Sequence, residues 1–586
     1  MIEQKLNNIR ILFLNNKYDE ALGVAKELIA DDLENDELDL ELAKIYFAKQ
    51  NYKNAESLFL KLQKNKVFFV ISTEMLQKIY KMLGLYSKSI VQFYKLNREC
   101  LVTQENIEDA IDAVIALRRY DTFFKIMFIA KYRKIYSEEY INIRFKEIYK
   151  EIIKLISEYN GKYLYDSVKK LYGKIIKYIP QSEKKIKNIL LNEYEIAKGC
   201  YILNSKPRVL TLELTNKCNL KCIMCEYKNI KKHWEIPKKI YDELLQIIPY
   251  LENLILQGGE VFLYKGILNI LKIAVKEKVS VEIVTNGLLL NEEIINVLIK
   301  GNNIITFSID SIKKNIYESI RINGKFEKLI ENLDKLIKIK ETNNSNIILR
   351  LHMVVMRRNY KEIEEIINFA AKYGFNEVYL EPVANRYIEQ EESIFEFGYD
   401  EKIVSLLENK KSFFCDLAKK NNIKLINHLP STKFCESIIK AESNLNNGKS
   451  KNLFWIFKRR EEENTNYNYT NKIYDKHIFY NNINLKCVKL FCYAPWHKLS
   501  VFGMNNFLPT CFCPIQQSEM ILNPIIEYVK NFIKNKLFNY SILKFWNSKS
   551  MVYYRKAILL NKENLVCAED CLQNRINSKE RQILYK

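Results

Sequence analysis

The sequence predicts a multidomain α + α/β chain: an N-terminal helical-repeat solenoid, a partial (β/α)6 TIM-like barrel and a small C-terminal cysteine-bearing domain. Three observations predict it. A tyrosine returns every 34 residues in the first part of the chain, six short apolar runs alternate with helical periodicity in the middle, and cysteines gather in two separate groups. With 586 residues and 48% hydrophobic side chains, the chain has material for several cores.

Tyr18, Tyr52, Tyr86 and Tyr120 stand in the settings Lys-Tyr-Asp-Glu-Ala21, Asn-Tyr-Lys-Asn-Ala55, Leu-Tyr-Ser-Lys-Ser89 and Arg-Tyr-Asp-Thr-Phe123. The preceding segments keep the same register through Leu42 and Leu76, Ile45 and Ile79, and Tyr46 and Tyr80. A 34-residue period with a small residue three places after the tyrosine resembles tetratricopeptide repeats, helical pairs that stack into a solenoid. Phe123 departs from that pattern in the fourth copy. Helical patterning then runs on to about residue 200 without the register, so residues 1–204 are expected to form the helical domain. The resemblance implies a groove for a peptide or protein; a brace or dimerisation surface is the alternative.

The apolar runs at 209–214, 254–256, 279–284, 304–309, 347–355 and 378–380 read as strands, and 241–248, 267–275 and 363–371 as helices between them. Strands alternating with helices imply a parallel sheet with right-handed crossovers, here a partial barrel over 205–390 with its chemistry at the C-terminal strand ends.

At the end of the first run lies Cys218-Asn-Leu-Lys-Cys222-Ile-Met-Cys225. Three thiols leave a four-ligand site one short. A structural zinc site normally closes a tetrahedron, but the nearest histidine, His233, is eight residues past the last cysteine. Three unrelated thiols are the plainer alternative. The cluster favours an incomplete iron–sulfur site whose open iron can bind substrate or cofactor. Glycine is scarce, at 15 residues, so the adjacent pair Gly258-Gly259 signals a sharp bend or a close backbone approach.

The CxxxCxxC spacing, Gly258-Gly259-Glu260, Thr285-Asn286-Gly287, Ser308-Ile-Asp310 and Arg321 in Tyr-Glu-Ser-Ile-Arg321 each fall at or after a strand end. Together they resemble the radical S-adenosylmethionine (radical SAM) enzymes over roughly residues 205–390. The resemblance implies that Cys218, Cys222 and Cys225 ligate a [4Fe-4S] cluster and that SAM chelates the fourth iron through its methionyl amine and carboxylate. Gly258, Gly259 and Glu260 would meet the methionyl amine; Asn286, Ser308 and Asp310 would join the cofactor site, with Ser308 and Asp310 toward the ribose or methionyl part. Arg321 would pair with the carboxylate. The implied reaction is reductive cleavage of SAM to methionine and a 5′-deoxyadenosyl radical that abstracts hydrogen from a substrate, with a reducing electron donor as partner.

Near the C-terminus, Cys492-Tyr-Ala-Pro495-Trp496 leads through an apolar stretch to Pro509-Thr-Cys511-Phe-Cys513, followed by Phe545-Trp546-Asn547 and Cys567-Ala-Glu-Asp-Cys571. This resembles the SPASM/twitch extension of radical SAM enzymes, expected over 485–586. The resemblance implies one auxiliary [4Fe-4S] cluster on Cys492, Cys511, Cys567 and Cys571, with Cys513 or Cys487 as alternatives and a zinc or degenerate site as the rival. Asn506 stands where that hairpin usually has glycine. Residues 391–484 are expected to connect barrel and cluster domain, helical first and then a loop around the polar tract 464–472.

Arg350 and His352 share one face of the fifth strand, and Tyr379 and Glu381 one face of the sixth. If those faces line the barrel, Arg350, His352 and Glu381 can position substrate or take a proton; lumen filling or ion pairing is the alternative. The net charge of +22 comes from lysines spread throughout, which reads as a solvated surface rather than a nucleic-acid footprint. No apolar run reaches the roughly 18 residues that span a bilayer, no secretory pattern opens the chain, and cysteines placed as metal ligands fit a reducing cytoplasm. The expected function is a peptide- or protein-modifying radical enzyme. A small-molecule or sugar-modifying enzyme of the dehydrogenase type and a non-catalytic repeat scaffold are the alternatives.

Overall fold

The computed structural model describes residues 2–30, 35–162, 164–225, 227–383, 392–395, 399–433, 435–436, 498–502, 506–509, 542–547, 551–552 and 555. The chain divides into two compact units, Met1–Leu155 with Gly173–Tyr178, and Ile156–Tyr172 with Ile179–Lys586.

The first unit is helical: α1 (Ile2–Leu14), α2 (Tyr18–Ala30), α3 (Asp36–Ala48), α4 (Tyr52–Leu62), α5 (Phe69–Met82), α6 (Tyr86–Arg98), α7 (Gln104–Ala116) and α8 (Tyr120–Tyr132), then the start of α9 (Glu138–Gly161). Each periodic tyrosine opens the second helix of a pair. The turn ahead of it repeats too, because Asn16, Gln50, Gly84 and Arg118 all take a left-handed φ, between 53° and 69°. Only glycine enters that region without steric cost, so the same turn is imposed four times by the pairing of the helices, not by the residue in it. Ala21, Ala55 and Ser89 are wholly buried between helices. Phe123 takes their place in the last pair, where it meets Phe124 and Phe145 edge-on. Phe124 stacks on Tyr149 and Tyr178, and this aromatic group closes the run of pairs.

The second unit has the end of α9, most of α10 (Tyr165–Ile175), α11 (Lys184–Lys198), and then strands and helices in alternation: β1 (Val209–Glu213), α12 (Lys238–Ile247), β2 (Asn253–Gln257), α13 (Ile267–Lys276), β3 (Ser280–Thr285), α14 (Glu292–Leu298), β4 (Ile304–Ser308), α15 (Lys314–Ile320), α16 (Phe326–Thr342), β5 (Ile348–Val355), α17 (Ile363–Lys372) and β6 (Glu377–Pro382). Then follow α18 (Glu401–Asn409), α19 (Lys411–Lys420), β7 (Lys424–Asn427), β8 (Lys498–Phe502), β9 (Asn506–Pro509) and α20 (Ile542–Trp546). Strands β1 to β7 are parallel, and the sheet order is β7-β6-β5-β4-β3-β2-β1-β8-β9.

Two features correct the six-strand expectation. A seventh parallel strand, β7, lies in the segment read as helix and loop; at four residues it is too short to show a period of its own. Strand β8 pairs in parallel with β1 on the opposite edge, and β9 pairs antiparallel with β8. The calls on Cys487, Cys492, Cys511, Cys513, Cys567, Cys571 and the tract 464–472 lie outside the described residues.

The sheet has two chemically different faces. On β5, Leu349, Leu351, Met353 and Val355 are buried in the core, while Arg350, His352 and Val354 alternate with them on the other face. Leu254, Leu256, Val281, Ile283, Ile305, Phe307, Val378 and Leu380 extend the apolar side. Ahead of β1, the buried Arg208 donates to Glu193 of α11 at 2.6 Å and pairs with Glu252 ahead of β2. Asn160 also donates to Glu193, at 2.6 Å. The α20 segment is tied down by Trp546 Nε1 to the Ser205 carbonyl at 2.8 Å and by Asn547 to Leu203 at 2.6 and 2.9 Å.

Replacing Arg208 by Ala leaves the Glu193 carboxylate buried without its cation. The expected cost is about 3–5 kcal/mol, read from urea unfolding of the metal-free chain; a loss under about 1 kcal/mol would show the pair to be dispensable.

Candidate active site

The cysteine loop leaves the end of β1 and is gripped on two sides by backbone hydrogen bonds. Gly259 N donates to the Thr215 carbonyl at 2.7 Å and Glu260 N to that of Lys217 at 2.8 Å. On the far side, Lys221 N donates to Ile322 and Ile223 N to Ile320, both at 3.0 Å. The glycine pair is required by this approach: a Cβ at Gly258, whose φ is +133°, would lie 2.3 Å from Thr215 O, and one at Gly259 would lie 2.2 Å from Lys217 O. The close approach foreseen from the glycines is therefore to the backbone of the cysteine loop.

Cys222 is buried, Cys218 and Cys225 are half-buried, and all three are free thiols. Each sulfur is met by an N–H donor: Leu220 N to Cys218 and Tyr227 N to Cys225, both at 3.4 Å, and Arg321 Nη1 to Cys222 at 3.6 Å. Burial pushes the Cys218 thiol up to about 11. Burial also raises Cys222, while the Arg321 charge pulls it back. Metal binding here must expel protons, and the N–H donors favour the thiolates that result.

Glu260 is fully buried and committed to the fold. Its carboxylate accepts from Thr285 Oγ1 at 2.8 Å, Asn286 N at 2.9 Å and Phe262 N at 3.3 Å. Burial raises its carboxyl against the pull of those bonds. Thr285-Asn286-Gly287 is thus joined to Gly-Gly-Glu through one side chain. Asn286 Nδ2 in turn donates to Asn219 Oδ1, inside the cysteine loop, at 2.8 Å. Asp310 and Arg321, expected to face a ligand separately, face each other: Arg321 Nη2 lies 2.7 Å from Asp310 Oδ2, both side chains being buried. Asp310 Oδ1 accepts from Val354 N at 2.9 Å. Ser308 ends β4 in register with His352 and is half-buried.

Residues 212–379 match the model of the Radical SAM superfamily. That stretch is a radical SAM domain. Among curated proteins, the chain is 26% identical over 189 residues to a GTP 3′,8-cyclase of Clostridium perfringens, covering 31% of this chain and 54% of the cyclase. It is 26% identical over 174 residues to the mycofactocin maturase MftC of Mycolicibacterium smegmatis, covering 29% and 43% respectively. The chain spans about half the length of the curated relatives it matches. Among solved structures, Streptococcus suis SuiB bound to S-adenosylmethionine aligns over 70% of this chain and 84% of its own, with a TM-score of 0.41 and 16% identity.

The donor set of this radical SAM domain fits a [4Fe-4S] cluster with one iron left open. Three thiols outside any disulfide share one clamped loop, and beside them the buried Arg321 keeps an Nε without a hydrogen-bond partner among the described residues. Among the described residues no three His, Cys, Asp or Glu side chains are arranged to hold a single ion. A cubane cluster, in which each thiolate takes a different iron, does not need such an arrangement.

On the polar face of the domain's sheet, Glu381 bridges two imidazoles, with His352 Nε2 at 3.0 Å and His428 Nδ1 at 3.4 Å. Burial pushes the Glu381 carboxyl up, but hydrogen bonds and charge from His352 and His428 prevail and hold it well below the usual carboxylate range. Arg350 is locked between Glu282 and Glu377, the latter at 2.9 Å, and lies 4.3 Å over the Tyr379 ring. His428, just past β7, escaped the sequence reading. Its one signal is rarity, since the chain has five histidines.

Gly259→Ala is expected to remove about four irons per chain after anaerobic reconstitution, the content of one cluster, with the far-ultraviolet circular dichroism unchanged; full iron content would show that the loop tolerates displacement. Glu381→Gln is expected to cost about 1–3 kcal/mol of stability at pH 7. Because the native carboxyl titrates below its unfolded value, that advantage is present above the unfolded carboxylate pKa and fades as pH falls through the lowered one. Denaturant midpoints from pH 7 down to pH 3 check this: a difference between the two proteins that vanishes already above pH 5 would contradict it.

Proposed function

We propose that this chain is a radical SAM enzyme that abstracts hydrogen from a peptide or protein substrate. The observation that carries the reading is the clamped loop of three free thiols at the end of β1, each sulfur met by an N–H donor. In this reading Cys218, Cys222 and Cys225 hold the [4Fe-4S] cluster. When bound and reduced, cluster and SAM supply a 5′-deoxyadenosyl radical. The side chain of Glu260 is spent inside the protein, so residues 258–260 offer the methionyl amine their backbone edge, and Asn286 and Ser308 line the same mouth. Arg321, anchored by Asp310, offers its remaining donor to the carboxylate. Excluding water from this mouth falls to the apolar neighbours of the cysteines, Ile223, Met224, Ile320 and Met356, which pack together.

Further along the polar face, His352 and Glu381 position substrate or take the proton released when it is oxidised, and Arg350 stiffens the wall beneath them. The helical pairs of the first unit, with their fourfold recurring turn, support a tetratricopeptide-like solenoid that holds a polypeptide. Cys492, Cys511, Cys567 and Cys571 are the proposed ligands of one auxiliary [4Fe-4S] cluster in a twitch-type domain, and the proposed location is the cytoplasm. A second reading, a small-molecule substrate with the repeats used for assembly, draws on the relatives named GTP 3′,8-cyclase.

Reconstituted wild type is expected to bind about eight irons, and a Cys218→Ala/Cys222→Ala/Cys225→Ala variant about four. Only the wild type should form 5′-deoxyadenosine from SAM and dithionite. Deoxyadenosine from both proteins, or from neither while wild type holds its full iron, would overturn the assignment.

A further inference from the structure

Strand β4 ends at Ser308, whereas β5 beside it runs on to Val355. Ile309 N still donates to the His352 carbonyl at 2.9 Å, but one step further Val354 has no β4 residue in register with it. Its N–H and carbonyl need other partners, and two side chains supply them. Asp310 Oδ1 accepts from Val354 N at 2.9 Å, and Asn359 Nδ2 donates to the Val354 carbonyl at 2.8 Å. Asn359 lies in the loop between β5 and α17 and is wholly buried. The same Nδ2 donates to the Asp310 carbonyl and Oδ1 accepts from Met356 N, both at 2.8 Å. Two N–H bonds and one oxygen on a short planar group meet that demand, and asparagine alone has them at this length.

Two further residues of the loop reach the same neighbourhood. The buried Glu362 accepts through Oε2 from Ser311 Oγ at 2.7 Å and from Ile312 N at 3.2 Å. Arg358 Nη1 donates to the carbonyl of Ser319, two residues ahead of Arg321, at 3.3 Å. A loop can be pinned to a sheet for stability alone, but this one is pinned at both ends of the ion pair beside the thiols. With its carbonyl on Asn359 and its Oδ1 on Val354, Asp310 has Oδ2 left, and that oxygen faces Arg321 Nη2 at 2.7 Å. Arg321 Nη1 in turn lies 3.6 Å from Cys222 Sγ. A long arginine keeps one rotamer only against a fixed partner, and Asn359 fixes this partner.

Resting on the assignment of Arg321 to the methionyl carboxylate above, we infer that Asn359 is a positioning residue for the cofactor site. Acting through Asp310, it sets where the Arg321 guanidinium stands toward SAM and toward Cys222, while Glu362 braces the two residues that follow Asp310.

The test compares Asn359→Ala with Asn303→Ala. Asn303 is also buried but stands just ahead of β4, at the opposite end of the sheet, where it accepts from Val281 N at 3.0 Å and donates to the Leu298 carbonyl at 2.7 Å. The SAM Kd of reconstituted, unreduced protein is measured by calorimetry, the midpoint potential of the cluster by titration without SAM, and amide hydrogen exchange of the metal-free chain by mass spectrometry. Asn359→Ala is expected to keep its iron and to bind SAM about tenfold more weakly. Its midpoint potential should be more negative, because an N–H donor to a ligand sulfur favours the reduced cluster. Exchange should quicken at 310–323 and stay unchanged at 209–214 and 253–257. Asn303→Ala should leave the SAM Kd within about twofold of wild type and the potential unmoved. Asn359→Ser, with one hydroxyl in place of the amide, supplies the same readings if the alanine chain does not fold. An unchanged SAM Kd where Arg321→Lys loses affinity, an unchanged potential, equal losses in Asn303→Ala, or exchange quickened evenly across the domain would each overturn the inference. Arg321→Lys binding SAM as tightly as wild type would strike the carboxylate assignment alone, since potential and exchange still decide whether Asn359 places the guanidinium.

Discussion

A backbone-to-backbone contact that only hydrogen atoms permit underlies the site. With Cβ positions 2.3 and 2.2 Å from carbonyl oxygens, Gly258 and Gly259 let the loop after β2 press flat against the loop that carries the cysteines. Two short hydrogen bonds fix one side of that loop, and two donated by it to the Ile320 and Ile322 carbonyls fix the other. Three thiols on a free loop would lose much conformational entropy on binding a cluster; on a clamped loop that entropy is already spent in folding. Glu260 extends the constraint, because its carboxylate gathers the start of the third strand's loop onto the same frame.

The sheet divides labour by face. Every second residue of β3 to β6 feeds the apolar core, and the intervening residues form a charged and hydrogen-bonded wall of Glu282, Thr306, Arg350, Glu377, Tyr379 and Glu381. Along that wall the arginine cluster lies nearer the strand starts and the Glu381 group nearer the ends. Arg350 is in register with Glu377, and Val354, two residues beyond His352, with Glu381. The Glu381 carboxylate is held between two imidazoles, and His352 Nδ1 and His428 Nε2 make no hydrogen bond among the described residues.

Much of this was legible in the chain. The six runs read as strands all lie on strands, because alternation of core and wall residues is a local pattern that neighbouring positions display. The tyrosine period mapped onto helix starts for the same reason, though the repeated left-handed turn did not show, since Asn16, Gln50 and Arg118 are not residues that demand it. Strand β7 and the pairing of β8 with β1 were not legible: both strands are short, and each acquires its meaning from a partner far away in sequence.

By itself the sequence determined which residues stand at the strand ends and that three thiols without a fourth ligand stand first among them, because spacing within one loop survives in any fold that contains the loop. Tertiary structure alone decided what those residues face. It turned Glu260 inward, joined Asp310 to Arg321 across 2.7 Å, and brought His428 from beyond β7 to the carboxylate of Glu381. Such pairings depend on which parallel strands lie side by side and in what register, and packing of the whole sheet, rather than any local pattern, sets that order.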